Sequence, residues 1–134
     1  MTVTPYLFLE GRCEEAITFY EQALGAHVAM KMHFRDAPPG TPTPPGLEDK
    51  VMHASLHVAG AELLLSDGRC NGAASFAGFA INLATADEAE AARWFRALAE
   101  GGTIRMPMAR TFFARSFAMV ADRFGILWMV MVPA

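Results

Sequence analysis

One pattern is written twice along this chain, about 75 residues apart. Tyr6 to Leu9 reads as a strand, Glu10 and Gly11 as a tight turn, and Glu14 to Leu24 as a short helix. The helix sets Ile17, Tyr20 and Leu24 on one stripe, with Ala16 and Phe19 beside them. Glu14, Glu15, Thr18, Glu21 and Gln22 take the wet side. Gly25 stands where a left-handed helix stop is wanted. The second copy opens with a strand from Phe79 to Leu83. Asp87 then starts a helix that carries Ala91, Phe95 and Leu98 on one face and ends at Gly101-Gly102. Such a repeat restricts the chain to two copies of one module. Phe19, Tyr20, Trp94 and Phe95 are expected under the two helices at matching places. The repeat names no substrate.

The remaining segments complete each copy. His27 to Phe34 alternates, with Val28, Met30, Met32 and Phe34 on one face and His27, Ala29, Lys31 and His33 on the other. From Asp36 to Lys50 the prolines, Gly40 and Gly46 forbid regular structure. Loops this long serve as lids or partner-facing arms, or are simply mobile. Val51 to Val58 and Glu62 to Ser66 form a hairpin around Ala59-Gly60. In the second copy Asp87 and Glu90 make a variant capping box. Thr103 to Met108 and Phe112 to Val120 are strands. Asp122-Arg123-Phe124-Gly125 turns the chain, and Ile126 to Val132 closes it. Module one is residues 1–67, a linker spans 68–76, and module two is 77–134. Each is strand, helix, then three strands.

Composition excludes several classes of function. With 53% hydrophobic and 19% charged residues, the chain is too apolar for disorder, and its surplus points to an oligomer interface. A net charge of -3 with no basic block leaves no footprint for nucleic acid. The longest apolar run, Ile126 to Val132, has strand length, far short of the roughly 18 residues needed to cross a bilayer. The N-terminal residues lack the charged and apolar regions of a signal peptide. Cys13 and Cys70 make neither a disulfide framework nor a Cys-x-x-Cys, so a reduced, cytoplasmic protein is expected.

Candidate chemistry is sparse. His53 and His57 lie on a strand, where four residues span roughly 13 Å, so they share a face but no metal ion. His33 has the same context and could lie opposite one of them. For His53 two readings stand, a hydrogen-bonded pocket histidine and the start of a metal site, the first being favoured. His27, after a helix end, reads as a surface group. Among the carboxylates, Glu14, Glu15, Glu21, Glu88 and Glu90 read as solvated, and Asp122 as a turn cap. Asp67, beside Ser66 at the module junction, is the carboxylate expected near a cavity, with a turn cap as its plainer reading. Cys13 precedes a helix whose dipole could lower its pKa, but with no nearby histidine it reads as structural. No serine sits in a nucleophile elbow, and no Gly-rich phosphate loop is present. Arg110, Thr111, Phe112, Phe113, Arg115, Phe117 and Met119 crowd one hairpin, followed by Trp128, Met129 and Met131. Such a wall is core by default and is also what an adaptable small-molecule pocket uses. Arg110 and Arg115 beside it could hold an anionic ligand.

These residues carry a resemblance. Tandem modules of this kind resemble the vicinal oxygen chelate superfamily of glyoxalase I, extradiol dioxygenases and the fosfomycin and bleomycin resistance proteins. Within it the chain is similar to the PhnB-like branch, also labelled 3-demethylubiquinone-9 3-methyltransferase-like. Pro5-Tyr6-Leu7 with Gly11, Glu15-Ala16-Ile17 with Phe19-Tyr20, and Leu24-Gly25-Ala26 match that branch's opening. Met52-His53-Ala54 with Leu56 and Gly60, Ser66-Asp67, and Asp122-Arg123-Phe124-Gly125 with Trp128 match the rest. Phe113, where relatives tend to carry Trp, and Ala114-Arg115 depart from the pattern.

The resemblance implies an α+β fold, two tandem βαβββ modules forming a curved mixed sheet around an apolar cleft, in a two-fold homodimer. The Asp36 to Lys50 loop is then expected to reach the partner or cover a cleft. The resemblance also implies metal ligands on the first and last strands of each module. Those positions fall here at Pro5, near Leu64, among Phe79 to Ile81, and at Met129, none a ligand for a hard divalent ion. No Gly-rich strand-to-helix turn for S-adenosylmethionine is present. The expected function is therefore metal-free, cofactor-free small-molecule binding, with His53, Ser55, Asp67, Arg110, Phe112 and Met129 as ligand-binding residues. Two alternatives are an enzyme, either a metal-dependent lyase or dioxygenase-like activity or the labelled methyl transfer, and a dimeric structural module with a vestigial cleft.

Overall fold

The computed structural model describes residues 1–134. The chain divides into two compact units, Met1–Ala74 and Ser75–Ala134. In the first, β1 (Tyr6–Phe8) leads to α1 (Cys13–Leu24), then β2 (His27–His33), β3 (Val51–Val58) and β4 (Ala61–Ser66). In the second, β5 (Ile81–Ala84) leads to α2 (Glu88–Ala99), β6 (Thr103–Ala109), β7 (Ala114–Ala121) and β8 (Leu127–Pro133). Each unit builds its own four-stranded mixed sheet, in the order β1-β4-β3-β2 and β5-β8-β7-β6. The β1–β4 and β5–β8 pairs are parallel and the others antiparallel. The expected α+β fold of paired βαβββ modules is what the chain adopts.

Alternation decides which side of each strand meets a helix. In the first sheet Leu7, Ala54, Leu56, Leu63 and Leu65 are buried. Below them α1 contributes Cys13, Ala16, Ile17, Phe19, Tyr20 and Leu24. Gly25 ends α1 at φ 66°, and the N–H groups of Gly25 and Ala26 return to the Glu21 and Tyr20 carbonyls. In the second sheet Leu83, Ala118, Val120, Trp128, Val130 and Val132 are buried, and α2 packs Ala91, Trp94 and Leu98 beside them. Gly102 after α2 admits no side chain, because a Cβ would lie 2.2 Å from the Ala121 carbonyl oxygen.

Several expectations need correction. Phe95 is only half-buried. Trp94 completes the Ala91–Leu98 stripe, and its larger indole takes the place under the helix. Asp87 caps α2, accepting from the Ala89 and Glu90 N–H groups. Its own N–H donates to Thr85 Oγ1, so the Glu90 half of the capping box is not formed. Phe79 and Ala80 lie ahead of β5, and Phe112 and Phe113 lie ahead of β7. Thr111 Oγ1 accepts from the Phe113 and Ala114 N–H groups and holds a turn there, with Phe112 at its tip. The even alternation expected of β2 is broken by irregularities between Val28 and Met30 and between Met32 and His33.

Candidate functional site

The side of each sheet turned away from its helix carries the side chains that alternation leaves uncovered. On the first sheet, register assembles them into rows. Met30, Ser55, Leu64 and Tyr6 stand abreast on β2, β3, β4 and β1. His27, His57 and Glu62 form another row on β2, β3 and β4. Met32 pairs with His53, and Phe8 with Ser66.

Polar bonds lock the middle of this face. The Tyr6 hydroxyl lies 2.8 Å from His53 Nδ1, and Ser55 Oγ donates to Glu62 Oε2 at 2.5 Å. Tyr6 stacks on Phe8, centroids 5.0 Å apart, and stands 5.5 Å from the His53 ring. Tyr6 and Phe8 nonetheless keep 39% and 51% of their surface exposed, which leaves an aromatic shelf open to solvent. Burial pushes the Tyr6 hydroxyl above its ordinary value, Cys13 adds to the rise, and a hydrogen bond from Ser66 opposes it.

The uncovered side of the second sheet has different chemistry. Asn82, Met129, Met119 and Met106 stand abreast across β5, β8, β7 and β6. Ala84, Met131, Phe117 and Ala109 make the next row, and Phe113 packs edge-on to Phe117. Three thioethers in one row make an apolar, polarizable and adaptable wall.

The sequence-derived candidates fall in different settings. His53 and Ser55 share the polar face of the first sheet, and Met129 sits in the methionine row of the second. Asp67 is 1% exposed, and its carboxylate is engaged by the backbone. Oδ1 accepts from the Gly11 and Cys13 N–H groups at 2.9 and 2.8 Å, and Oδ2 from the Val51 N–H at 2.8 Å. It ties the turn before α1 to the start of β3. Arg110 is exposed, and Phe112 is 98% exposed. Arg115, by contrast, lines a shallow cavity of about 470 Å³ with Ala84, Thr85, Ala86, Pro133 and Ala134, and donates to the Ala86 and Pro133 carbonyls.

The histidines pair differently from the expectation. His27, rather than His33, stands opposite His57. His33 turns to α1, with Nε2 at 2.7 Å from Glu14 Oε1, where Lys31 also donates to Oε2 at 2.9 Å. Glu14 is thus a paired carboxylate. Burial raises its pKa, but the bonds from Lys31 and His33 outweigh that and hold it below its ordinary value. Burial first, then the charges of Asp67 and Glu14, push the Cys13 thiol up, against a smaller pull from Lys31. An inert, structural Cys13 follows, and the helix dipole does not activate it.

Register also tests the mapped ligand positions. Pro5 precedes β1 and gives its carbonyl to Leu64 N–H, so the open-face residues there are Tyr6 and Phe8. On the second sheet the residue abreast of Met129 is Asn82, beyond the expected Phe79 to Ile81. A phenol, a phenyl ring, an aliphatic chain, an amide and a thioether do not make a site for a hard divalent ion. No three side chains among His, Cys, Asp and Glu gather as a ligand set. Tyr6, Phe8, Glu62 and Asn82 escaped the sequence reading as site residues. The aromatic–Leu–aromatic alternation of Tyr6-Leu7-Phe8 was the available signal for the first two.

The model of the Glyoxalase/Bleomycin resistance protein/Dioxygenase superfamily matches residues 3–130. The chain belongs to this superfamily. It is 35% identical to Escherichia coli protein YjdN over 140 residues, covering 98% of this chain and 95% of YjdN. The crystal structure of Pseudomonas aeruginosa protein PA1353 is 40% identical, with a TM-score of 0.87 over 99% of this chain and 98% of that one. A Bacillus cereus PhnB protein, labelled 3-demethylubiquinone-9 3-methyltransferase, is 25% identical with a TM-score of 0.81, covering 98% of this chain and 99% of that one. That match carries the PhnB-like resemblance. No helix of this superfamily member is long and apolar enough to cross a membrane.

Proposed function

We propose that this chain is a small-molecule-binding member of the PhnB-like branch that works without a metal ion, as a cytoplasmic homodimer. The observation that carries the reading is the make-up of the uncovered sheet faces. One presents hydrogen-bonding groups beside an aromatic shelf, the other a row of thioethers, and neither supplies a hard-metal ligand set at the positions where the resemblance implies one. His53, Ser55 and Met129 are the residues proposed to touch ligand. Asp67 supports His53 and Ser55 by holding the start of β3 to the turn before α1. Arg110 and Phe112 are available to a ligand only through the exposed turn before β7. The edge strands β2 and β6 carry exposed Met30, Ile104 and Met106, which favours pairing with a second copy.

The test has two arms. Elemental analysis after exposure to zinc, nickel, manganese or iron is expected to find no stoichiometric metal. A library screened by thermal shift and native mass spectrometry is expected to yield one chemical class with saturable binding weakened by His53→Ala. One tightly held metal per chain, lost on His53→Ala, overturns the metal-free reading. The Tyr6–His53 bond also suits proton transfer, and turnover of a library compound would select an enzyme instead.

A further inference from the structure

We propose that Tyr6 fixes His53 as its Nε2–H tautomer and that the face around this pair takes a flat aromatic ring bearing a neutral carbonyl oxygen. The inference rests on the small-molecule reading and names the ligand class of the first sheet's face. Its first step is hydrogen-bond accounting. A neutral imidazole has one N–H and one acceptor nitrogen, and whichever bond one nitrogen makes decides what the other offers. Of the two groups a phenol hydroxyl is the stronger donor and an imidazole nitrogen the stronger acceptor, so the Tyr6 proton is directed at His53 Nδ1, 2.8 Å away. Nδ1 then accepts, and Nε2 carries the hydrogen. His53 therefore presents a donor whose orientation is held by its neighbour.

The surroundings select what that donor meets. Tyr6 and Phe8 present stacked, partly exposed rings beside His53, and a flat ring is the shape that covers them most fully. The partner of an N–H is an acceptor atom, and a carbonyl oxygen, with two lone pairs, is a strong one. Glu62, bonded to Ser55 on the same face, sets a carboxylate nearby, and a carboxylate-bearing ligand would meet like charge there. A neutral carbonyl avoids that repulsion.

The tautomer is read directly from long-range proton–nitrogen NMR of His53 in mildly alkaline buffer. The wild type should show a protonated Nε2 and an unprotonated Nδ1, and Tyr6→Phe should give a mixture. Ligand class is read by titrating acetophenone, cyclohexyl methyl ketone and toluene while following the Tyr6, Phe8 and His53 amides. Acetophenone should bind saturably. The ring-less ketone, the carbonyl-less ring, and acetophenone on His53→Leu should each be weaker by about fivefold. An Nδ1–H tautomer in the wild type, no saturable shift with acetophenone, or equal binding of cyclohexyl methyl ketone overturns the proposal. If a library compound still binds elsewhere, the small-molecule reading survives. If none binds, that reading fails as well, while the tautomer measurement, which needs no ligand, is judged by itself.

Discussion

Replacing Asp67 should destabilise the first unit more than any other single polar change there. Its carboxylate collects the N–H groups of Gly11, Cys13 and Val51 from two separated stretches of chain, and at 1% exposure water does not compete for them. In Asp67→Ala all three donors lose their acceptor. An unsatisfied buried donor costs about 1–3 kcal/mol. Some relief comes from water entering the vacated space, so a total of about 3–6 kcal/mol is expected. Asp67→Asn is the finer probe. Its amide oxygen can keep the Gly11 and Cys13 bonds, but its NH2 then faces the Val51 N–H, so one bond is lost and two donors are opposed. About 2–3 kcal/mol should follow.

Urea unfolding followed by far-UV circular dichroism gives the totals. Hydrogen exchange at the Gly11, Cys13 and Val51 amides gives the location. All three should lose protection in Asp67→Ala, and Val51 most in Asp67→Asn. A loss under about 1 kcal/mol in Asp67→Ala with unchanged protection at all three amides would refute the reasoning, because no buried donor would then depend on the carboxylate.

Three further outcomes follow from the same geometry. Gly102→Ala drives a Cβ to 2.2 Å from the Ala121 carbonyl oxygen, so backbone must move and a loss of about 2–4 kcal/mol in chemical denaturation is expected. Asp87→Ala removes the α2 cap and should cost about 1 kcal/mol, with Asp87→Ser recovering most of it in the same assay. Glu14 has a depressed pKa in the folded state, so its contribution is complete above its ordinary value of 4.5 and is lost as pH falls through the lower folded value. Thermal melts should show a shallower acid-side decline in Glu14→Gln than in the wild type, and identical slopes would count against the pairing with Lys31 and His33.

The two-module plan is legible in the sequence because its signals are local. Helix stripes, a glycine stop after Leu24 and a turn at Asp122 to Gly125 are each decided by a few neighbouring residues. The candidate site is less legible because it depends on register. Tyr6 meets His53 across 47 positions of sequence, and His27 meets His57 at an offset between β2 and β3 that changes beyond Val28. No periodicity reports that offset. Asp67 shows a related ambiguity. A carboxylate at a strand end reads equally well as a cavity group or a cap, and only the positions of the Gly11, Cys13 and Val51 amides decide for the cap. Phe95 and Trp94 differ for a simpler reason. Both lie within reach of the stripe, and packing against β7 and β8 selects between them.

The contrast between the two copies bears on where function resides. Toward the helices they repeat one chemistry: Leu7 and Leu83, Leu65 and Val130, Leu56 and Val120 are all aliphatic and buried. Burial against a helix demands that, because a polar group placed there would need a partner. The uncovered sides are not under that demand, and they differ. Ser55 and Leu64 stand abreast of Tyr6 in one copy, and Met119 and Met129 abreast of Asn82 in the other. If both faces served only to be covered, aliphatic residues would suffice on each. The phenol–imidazole bond at 2.8 Å is open to water and stabilises the fold little, and the serine–carboxylate bond at 2.5 Å places polar groups on a part-buried face where aliphatic ones would serve. Their concentration on one face is therefore not something that packing against a helix requires.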